Sequence, residues 1–428
     1  MSEMSRAIAK VPLFKMAAID AEVLSPTTSP SVRFKYIDIS AVSENRLTLP
    51  DTEINFADAP SRARRVLRSG DVLMSTVRPN LKAFAYCKLD DASYVASTGF
   101  AVLRAYEQSV PYFLLCAILS DEVGKQIDSL AVGSNYPAIN SSDVRRLLIP
   151  NYSLVAQYKI ASILSTIDTA IEQTEALIEK YQHIKAGLMH DLFTRGVLPS
   201  GQLRQPREQA PELYQETAIG WIPREWRLCP LGEMANIVSG VTLGAIAGPS
   251  DTINAPYLRV ANVQDGYLDL SEIKTVRVSS QTLEHLRLQP GDVLMNEGGD
   301  FDKLGRGAVW RGQIENCVHQ NHVFRVRCNA SVLASDYLAY YSESAFGKKY
   351  FVMSSKQSTN LASINSTQLK AYPIALPPLG EQTKITLHVQ RAKSRQEALT
   401  EEVKKLRAQK LGLMQDLLTG KVSVLQLK

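Results

Sequence analysis

Lys185-Ala-Gly-Leu-Met-His-Asp-Leu-Phe-Thr194 is written a second time as Lys410-Leu-Gly-Leu-Met-Gln-Asp-Leu-Leu-Thr419. Further upstream, Gln157, Lys159 and Ile160 return as Gln382, Lys384 and Ile385. Ser134-Asn-Tyr-Pro-Ala-Ile-Asn-Ser141 returns as Ser358-Thr-Asn-Leu-Ala-Ser-Ile-Asn-Ser366. From Ile139/Ile364 to Thr194/Thr419 every matched pair stands 225 positions apart, so no gap is needed. A chain built from two copies of one module predicts a pseudo-two-fold arrangement that meets its partner twice.

The echo fades towards the start of each copy. Val11-Pro-Leu13, Met16-Ala17 and Ile19 resemble Cys229-Pro-Leu231, Met234-Ala235 and Ile237. Tyr36-Ile-Asp-Ile39 resembles Tyr257-Leu-Arg-Val260, and Gly70-Asp-Val-Leu-Met74 matches Gly291-Asp-Val-Leu-Met295. The offset drifts from 218 through 221 to 225, which places small insertions in loops while the frame holds. The expected organisation is a variable globular part over 1–152, a long helix over 153–197 and a linker with an entrance segment over 198–226. A second globular part over 227–377, a second long helix over 378–420 and a tail over 421–428 complete it. The linker assignment rests on the polar, proline-containing run Leu198-Pro-Ser-Gly-Gln, Arg204-Gln-Pro-Arg and Ala210-Pro211.

Between Ser153 and Thr194 there is no proline and a single glycine. Apolar residues recur there at a spacing near 3.5: Leu164, Ile167, Ile171, Ile178, Tyr181, Leu188 and Leu192. The second copy gives Val389, Ala392, Leu399, Val403, Leu406, Leu413 and Leu417 in the same register. This spacing keeps one stripe turned to one partner helix, as in a coiled coil. About 40 residues make a rod of about 60 Å, and pairing one copy with the other in antiparallel fashion satisfies both stripes. Lys185 and Lys410 interrupt the stripe at matched positions, where snorkelling outward is the expected behaviour. An amphipathic helix lying on its own globular part is the alternative; the length and the shared register favour the paired rod.

Upstream of each rod the pattern changes to short strand-like runs, such as Phe34–Ser40, Asp71–Ser75, Tyr257–Val260 and His322–Arg327. Short apolar helices follow at Pro111–Leu119 and Asp336–Tyr341, so the globular parts read as α+β. Polar loops sit at matched places: Ser75–Lys82 against Asn296–Gly307, and Ser97–Gly99 against Gln320–His322. Arg, Asn, Gln and Lys can hydrogen-bond base edges, Arg and Lys pair with phosphates, and glycine lets backbone approach a ligand. Solvated turns would look similar residue by residue. Unlike polar loops at equivalent positions on equivalent scaffolds suit a reader of two different words.

Composition narrows the class without deciding it. A net charge of +5 over 428 residues is compatible with a nucleic-acid partner. Five scattered cysteines without a Cys-x-x-Cys pair suggest reduced thiols. No apolar run approaches a membrane span and Met1-Ser-Glu-Met4 begins no signal peptide, so a soluble, cytoplasmic protein with no membrane partner is expected. The amide-Pro-Pro-aromatic tetrapeptide of amino-methylation is lacking, since Leu376-Pro-Pro-Leu379 has neither amide nor ring. No phosphate-cradling Gly-x-x-x-x-Gly-Lys-Ser/Thr or dinucleotide-type glycine loop is found. Asp300-Phe-Asp-Lys303 has no second element to make a nuclease centre. His319 and His322 have the spacing of a metal pair but no completing ligand, so no metal site is expected.

At this point the ordered series of motifs resembles one family, the specificity subunit of type I restriction–modification systems. The likeness is carried by Gly220-Trp-Ile-Pro-Arg-Glu-Trp226, Leu288-Gln-Pro-Gly-Asp-Val-Leu294, Gly305-Arg-Gly-Ala-Val-Trp310, Gln320-Asn-His-Val-Phe324, Leu376-Pro-Pro-Leu-Gly-Glu-Gln382 and Leu413-Met-Gln-Asp-Leu-Leu-Thr-Gly420. The first copy adds Arg78-Pro-Asn80, Ser97-Thr-Gly-Phe100 and Leu188-Met-His-Asp-Leu-Phe-Thr194. The resemblance spans essentially the whole chain. It implies an α+β fold with two pseudo-symmetric target-recognition domains joined by two long antiparallel coiled-coil helices. Each domain would read one half of a split, asymmetric double-stranded DNA target, and the helices would set the gap.

The resemblance also implies a non-catalytic subunit for host defence that holds no cofactor of its own. Two modification subunits would bring S-adenosylmethionine and adenine methylation. Two restriction subunits would bring ATP, Mg and cleavage. Candidate DNA contacts are Arg78, Asn80, Lys82, Ser97, Thr98, Asn135 and Tyr136 in the first copy. In the second they are Asn296, Glu297, Lys303, Arg306, Gln320, Asn321, His322 and Asn360. The first copy lacks the Trp-Ile-Pro entrance and carries Ala156 where the second has Glu381, so the helix entrances are expected to contact partners unequally. Alternatives from other classes are a coiled-coil scaffold, which leaves the divergent loops idle, and the recognition part of a single-chain restriction–methylation enzyme.

Overall fold

The computed structural model describes residues 8–90, 92–133, 135–244, 252–299, 304–305, 307–354, 356–357 and 362–424. They fall into two units: the chain up to Ala176 together with Thr400 onward, and Leu177–Leu399. The two long helices, Leu154–Thr194 and Leu379–Thr419, are 41 residues each, and each gives one part to either unit. Among the described residues no helix is long and apolar enough to cross a membrane.

In the first unit a four-stranded sheet runs in the order Ala17–Ile19, Phe100–Ala105, Val72–Ser75, Phe84–Tyr86. The second unit repeats it as Ala235–Ser239, Val323–Cys328, Val293–Asn296, Gly307–Val309. Beside it, Tyr36 pairs with Val95 in parallel, and Tyr257 pairs with Val318 in parallel. The globular part closes where Val11 pairs antiparallel with Ile149, and Cys229 with Ile374. The first copy therefore needs no Trp-Ile-Pro entrance to complete its fold, because the strand Lys10–Pro12 closes it. The expected strand at Phe34–Ser40 ends at Ile37, since the Asp38 carboxylate accepts from the Ile39 N–H and turns the chain into a short 3-10 helix.

The repeated residues turn out to be joints. Asp71 is buried, accepts from the Arg68 N–H at 2.8 Å, and takes a two-pronged bond from the Arg104 guanidinium at 2.9 and 2.8 Å. Asp292 does the same with the Gln289 N–H and Arg327, at 2.7, 2.7 and 2.8 Å. Gly70 and Gly291 precede them with φ of 94° and 96°, a backbone that L side chains avoid. Asn140 and Asn365 form capping boxes on the helices Ser141–Arg146 and Ser366–Lys370, which accounts for the doubled Ile-Asn-Ser.

Gln157 and Gln382 tie each long helix to its globular part. The buried Gln157 Oε1 accepts from the Val110 N–H at 2.9 Å, at the head of the helix Pro111–Leu119, and its Nε2 donates to the Tyr152 carbonyl at 2.9 Å. Gln382 Oε1 accepts from the Ala334 N–H at 2.8 Å, and its Nε2 donates to Val332 and Pro377 carbonyls at 2.8 and 2.9 Å. The helix ends also complete the cores. Ile160, Leu164, Met414 and Leu417 join the first core, and Leu192, Phe193, Ile385 and Val389 the second.

Within each unit the helix portions run antiparallel. In the first, Asp168 meets Lys410 at 2.6 Å and Glu175 meets Arg407 at 2.8 Å, so rising numbers on one helix face falling numbers on the other. In the second, the Arg395 guanidinium lies 6.0 Å from the Tyr181 ring centre, while Lys393 and Lys185 share the Glu343 carboxylate. All fourteen stripe residues are buried or half-buried: Leu164, Ile167, Ile171, Ile178, Tyr181, Leu188, Leu192, Val389, Ala392, Leu399, Val403, Leu406, Leu413 and Leu417.

Two expectations are corrected here. Lys185 and Lys410 do not snorkel; they end on Glu343 and Asp168 at 2.6 Å. Burial alone would raise the Glu343 carboxyl, but the ammonium groups of Lys393 and Lys185 outweigh it and hold it below its usual range. The polar segment after the first long helix is not a loose tether: Arg204, Ala210, Tyr214, Ile222 and Trp226 are all buried in the second unit. Glu381 explains why. It is buried, forms an ion pair with Arg204 and accepts from the Val197 N–H at 2.8 Å, so it clasps this segment.

Replacing Gln382 with Leu strands one buried N–H and two carbonyls. It should cost about 3 kcal/mol, with hydrogen exchange accelerating across the second unit only; Gln157→Leu should do the same in the first.

Candidate nucleic-acid interface

Thr76, directly after the strand Val72–Ser75, is where three loops of the first unit meet. Its N–H and hydroxyl both donate to the Gly99 carbonyl, at 2.8 and 2.9 Å, and its own carbonyl accepts from the Ile139 N–H at 3.0 Å. Glu297 occupies the same place in the second unit. Its N–H donates to the His322 carbonyl at 3.0 Å and its carbonyl accepts from Ile364 at 2.8 Å. One residue further on, Val77 bridges to Ala138 and Gly298 pairs with Ser363. One backbone junction therefore gathers the loops after residues 75, 97 and 131 in one unit, and after 296, 319 and 356 in the other.

In the first unit the junction displays Arg78, Asn80, Thr98, Asn135 and Tyr136 as exposed residues. The Arg78 N–H donates to the Pro137 carbonyl at 2.7 Å, and its guanidinium lies 4.3 Å from the Tyr136 ring centre. Arg78 and Lys82 both take left-handed backbone, φ 48° and 50°, and bracket the turn Pro79–Leu81. Each costs on the order of 1 kcal/mol without glycine, offset at Arg78 by its contacts with Pro137 and Tyr136. Two expected contacts are framework instead. Ser97 is fully buried, its hydroxyl accepting from the Gly99 N–H at 3.2 Å. The Lys82 ammonium caps the helix Pro111–Leu119 through the Leu119 carbonyl at 2.9 Å and faces Asp121 at 3.5 Å.

In the second unit the junction is charged. The Glu297 carboxylate meets His322 Nδ1 at 2.6 Å, with both side chains partly open to solvent. Gln320 and Asn321 are half-buried, and Asn321 is held through its backbone by Val241 at 3.0 Å and the Ser239 hydroxyl at 2.7 Å. Asn296 is again framework, buried with its amide donating to the Val263 carbonyl at 3.0 Å. Lys303, Arg306 and Asn360 lie outside the described residues. His319 does not pair with His322 as metal ligands would; its Nδ1 bonds the Val323 carbonyl at 2.6 Å inside the core. Sequence reading missed Thr76 and Ile139 as joints, and Leu81 and Val132 as exposed apolar residues on the loops that carry Arg78 and Tyr136. The matched positions of Thr76 and Glu297 were the available signal.

With this geometry in place, the chain can be set beside known proteins. The family model for the type I restriction modification DNA specificity domain matches residues 62–181 and 223–405. The chain belongs to that family. Each matched stretch of the specificity-domain family contains one three-loop junction and enters one long helix. The putative type I restriction enzyme MjaX specificity subunit of Methanocaldococcus jannaschii is 27% identical over 210 residues, 49% of either chain. The StySPI specificity subunit of Salmonella potsdam is 25% identical over 303 residues, 70% of this chain and 62% of that one. The chain thus spans about half to three-fifths of the length of these relatives. A chain solved in work on complex assembly and conformational transition of the type I R-M system shares the fold. Its TM-score is 0.59 at 24% identity, over 99% of this chain and 100% of that one.

Burial pushes the His319 imidazole down to about 4, against the pull of its bond to Val323. The unfolded ring takes a proton near its ordinary 6.5 and the folded one only near 4, so stability is complete above about 6.5 and falls as pH drops through that window. The loss should reach about 3 kcal/mol and be confined to the second unit, because Ala96 holds the equivalent place in the first. Denaturant titrations from pH 7 to 4 should show it, and His319→Gln should flatten it.

Proposed function

We propose that this chain is the sequence-reading subunit of a type I restriction–modification complex acting in the cytoplasm. Each unit reads one half of a bipartite, asymmetric duplex target, and the paired long helices set the gap between the halves. Two modification subunits supply S-adenosylmethionine and adenine methylation, and two restriction subunits supply ATP- and Mg-dependent cleavage. The chain itself does no chemistry.

The observation that carries this function is the repeated junction. Thr76 and Glu297 gather three loops by the same backbone bonds, yet the side chains displayed around them differ: Arg78 on Tyr136 in one unit, Glu297 on His322 in the other. A scaffold that merely joined proteins would have no use for unlike polar loops on identical joints. Base discrimination needs that combination, because each bidentate side-chain contact supplies about 1–3 kcal/mol and the frame only has to present it. The helices suit a spacer because their ends are built into both cores.

Sequencing of methylated adenines in cells expressing the chain with its modification subunit tests this. Arg78→Ala should relax positions in one half of the methylated motif, and Asn321→Ala positions in the other; equal loss in both halves would contradict the assignment. A seven-residue insertion in each long helix, after Ala176 and after Leu399, adds about 10 Å, or about three base-pair rises. It should change the accepted gap and leave both words intact.

A further inference from the structure

We infer that the loops around Arg78 form an apolar platform that reads bases by contact with thymine methyl groups, which rests on the DNA-reading function proposed above. Leu81, Val132 and Tyr136 are 67%, 78% and 68% exposed, far more than burial-seeking side chains usually tolerate together. They are not scattered. Val132 and Ala138 exchange backbone bonds at 3.1 and 3.0 Å, Val77 bridges to Ala138, and the Leu81 N–H donates to the Arg78 carbonyl at 3.0 Å. The Arg78 guanidinium sits over the Tyr136 ring. One cation and three exposed apolar side chains are therefore carried on two hydrogen-bonded loops.

Charge selects the occupant. Residues 76–82 and 131–140 contain no carboxylate, and with Lys82 turned to Leu119 and Asp121 the cation they display is Arg78. The matched stretch in the second unit, 297–307, mixes Glu297, Asp300 and Asp302 with Lys303 and Arg306. A surface that is apolar, cationic and free of acid fits the major groove of a duplex, where the thymine methyl is the one apolar group on a base edge and phosphates flank it. Arg78, its guanidinium over the Tyr136 ring, bonds the base edge beside the methyl, and the apolar side chains cover the methyl itself. The second unit, with its carboxylate at the junction, lacks this chemistry, so the two heads differ in the kind of contact as well as in sequence.

The test uses the chain assembled with its modification subunits and a duplex carrying the motif found by methylated-adenine sequencing. Each thymine is replaced in turn by deoxyuridine, which removes only the methyl. In the half relaxed by Arg78→Ala, one or more substitutions should weaken binding about fourfold, the worth of one buried methyl. The penalty should vanish in a Val132→Ser, Tyr136→Ser variant and in Leu81→Ser, whose exposed positions leave the fold intact. Deoxyuridine tolerated at every position of that half, or a penalty undiminished in the variants, overturns the inference. So does a variant that weakens assembly with the modification subunits and leaves the penalty unchanged, since the platform then faces protein. A wild-type complex that binds all duplexes alike contradicts the DNA-reading function itself, and the inference falls with it.

Discussion

A buried primary amide at the first turn of each long helix is the constraint on which both units depend. Gln157 and Gln382 each satisfy the N–H that opens a second helix and a carbonyl on the approach to their own. Leaving those groups unpaired in a dry core costs far more than the bonds contribute net, so the direction of the helix is fixed relative to its sheet. The Asp71–Arg104 and Asp292–Arg327 pairs fix the sheet in turn, and the strand that follows delivers Thr76 or Glu297 to the junction. The chain of support runs unbroken from helix to loop within each unit.

Function then follows from what this frame leaves free. The junction uses backbone atoms, so its side chains are available to differ, and they do. A strained Arg78 lies on Tyr136 in one unit, and a carboxylate holds a histidine in the other. Preorganised loops lose less freedom on binding, which lets few contacts discriminate. The same separation of frame from displayed side chains explains how two copies of one module diverge in their loops while keeping one architecture.

Much of this was legible in the sequence. The gapless offset revealed the doubling, the 3.5-residue spacing revealed the rods, and the repeated Gly-Asp-Val-Leu-Met carried the frame into the variable parts. What was not legible depended on partners far away in the chain. Lys185 reads as a solvent-seeking intruder until Glu343 is seen beside it. The segment after Thr194 reads as a tether until Arg204 meets Glu381, 177 residues on. Ser97 and Asn296 have the chemistry of base contacts, yet sheet geometry turns them inward. Thr76 gives no sign in its side chain that its backbone gathers three loops. Loop composition marked candidate contacts but could not separate the residues that display from those that hold.

The central claim is that each unit reads its own half independently of the other, on a frame that sets the spacing. The most direct measurement is methylated-adenine sequencing of a chimaera in which the first globular part, from Lys10 to Pro150, is replaced by the second, from Arg227 to Leu376. A motif with the same word in both halves and an unchanged gap is the predicted result. A motif that keeps two different words, or a word found with neither parent head, would contradict it.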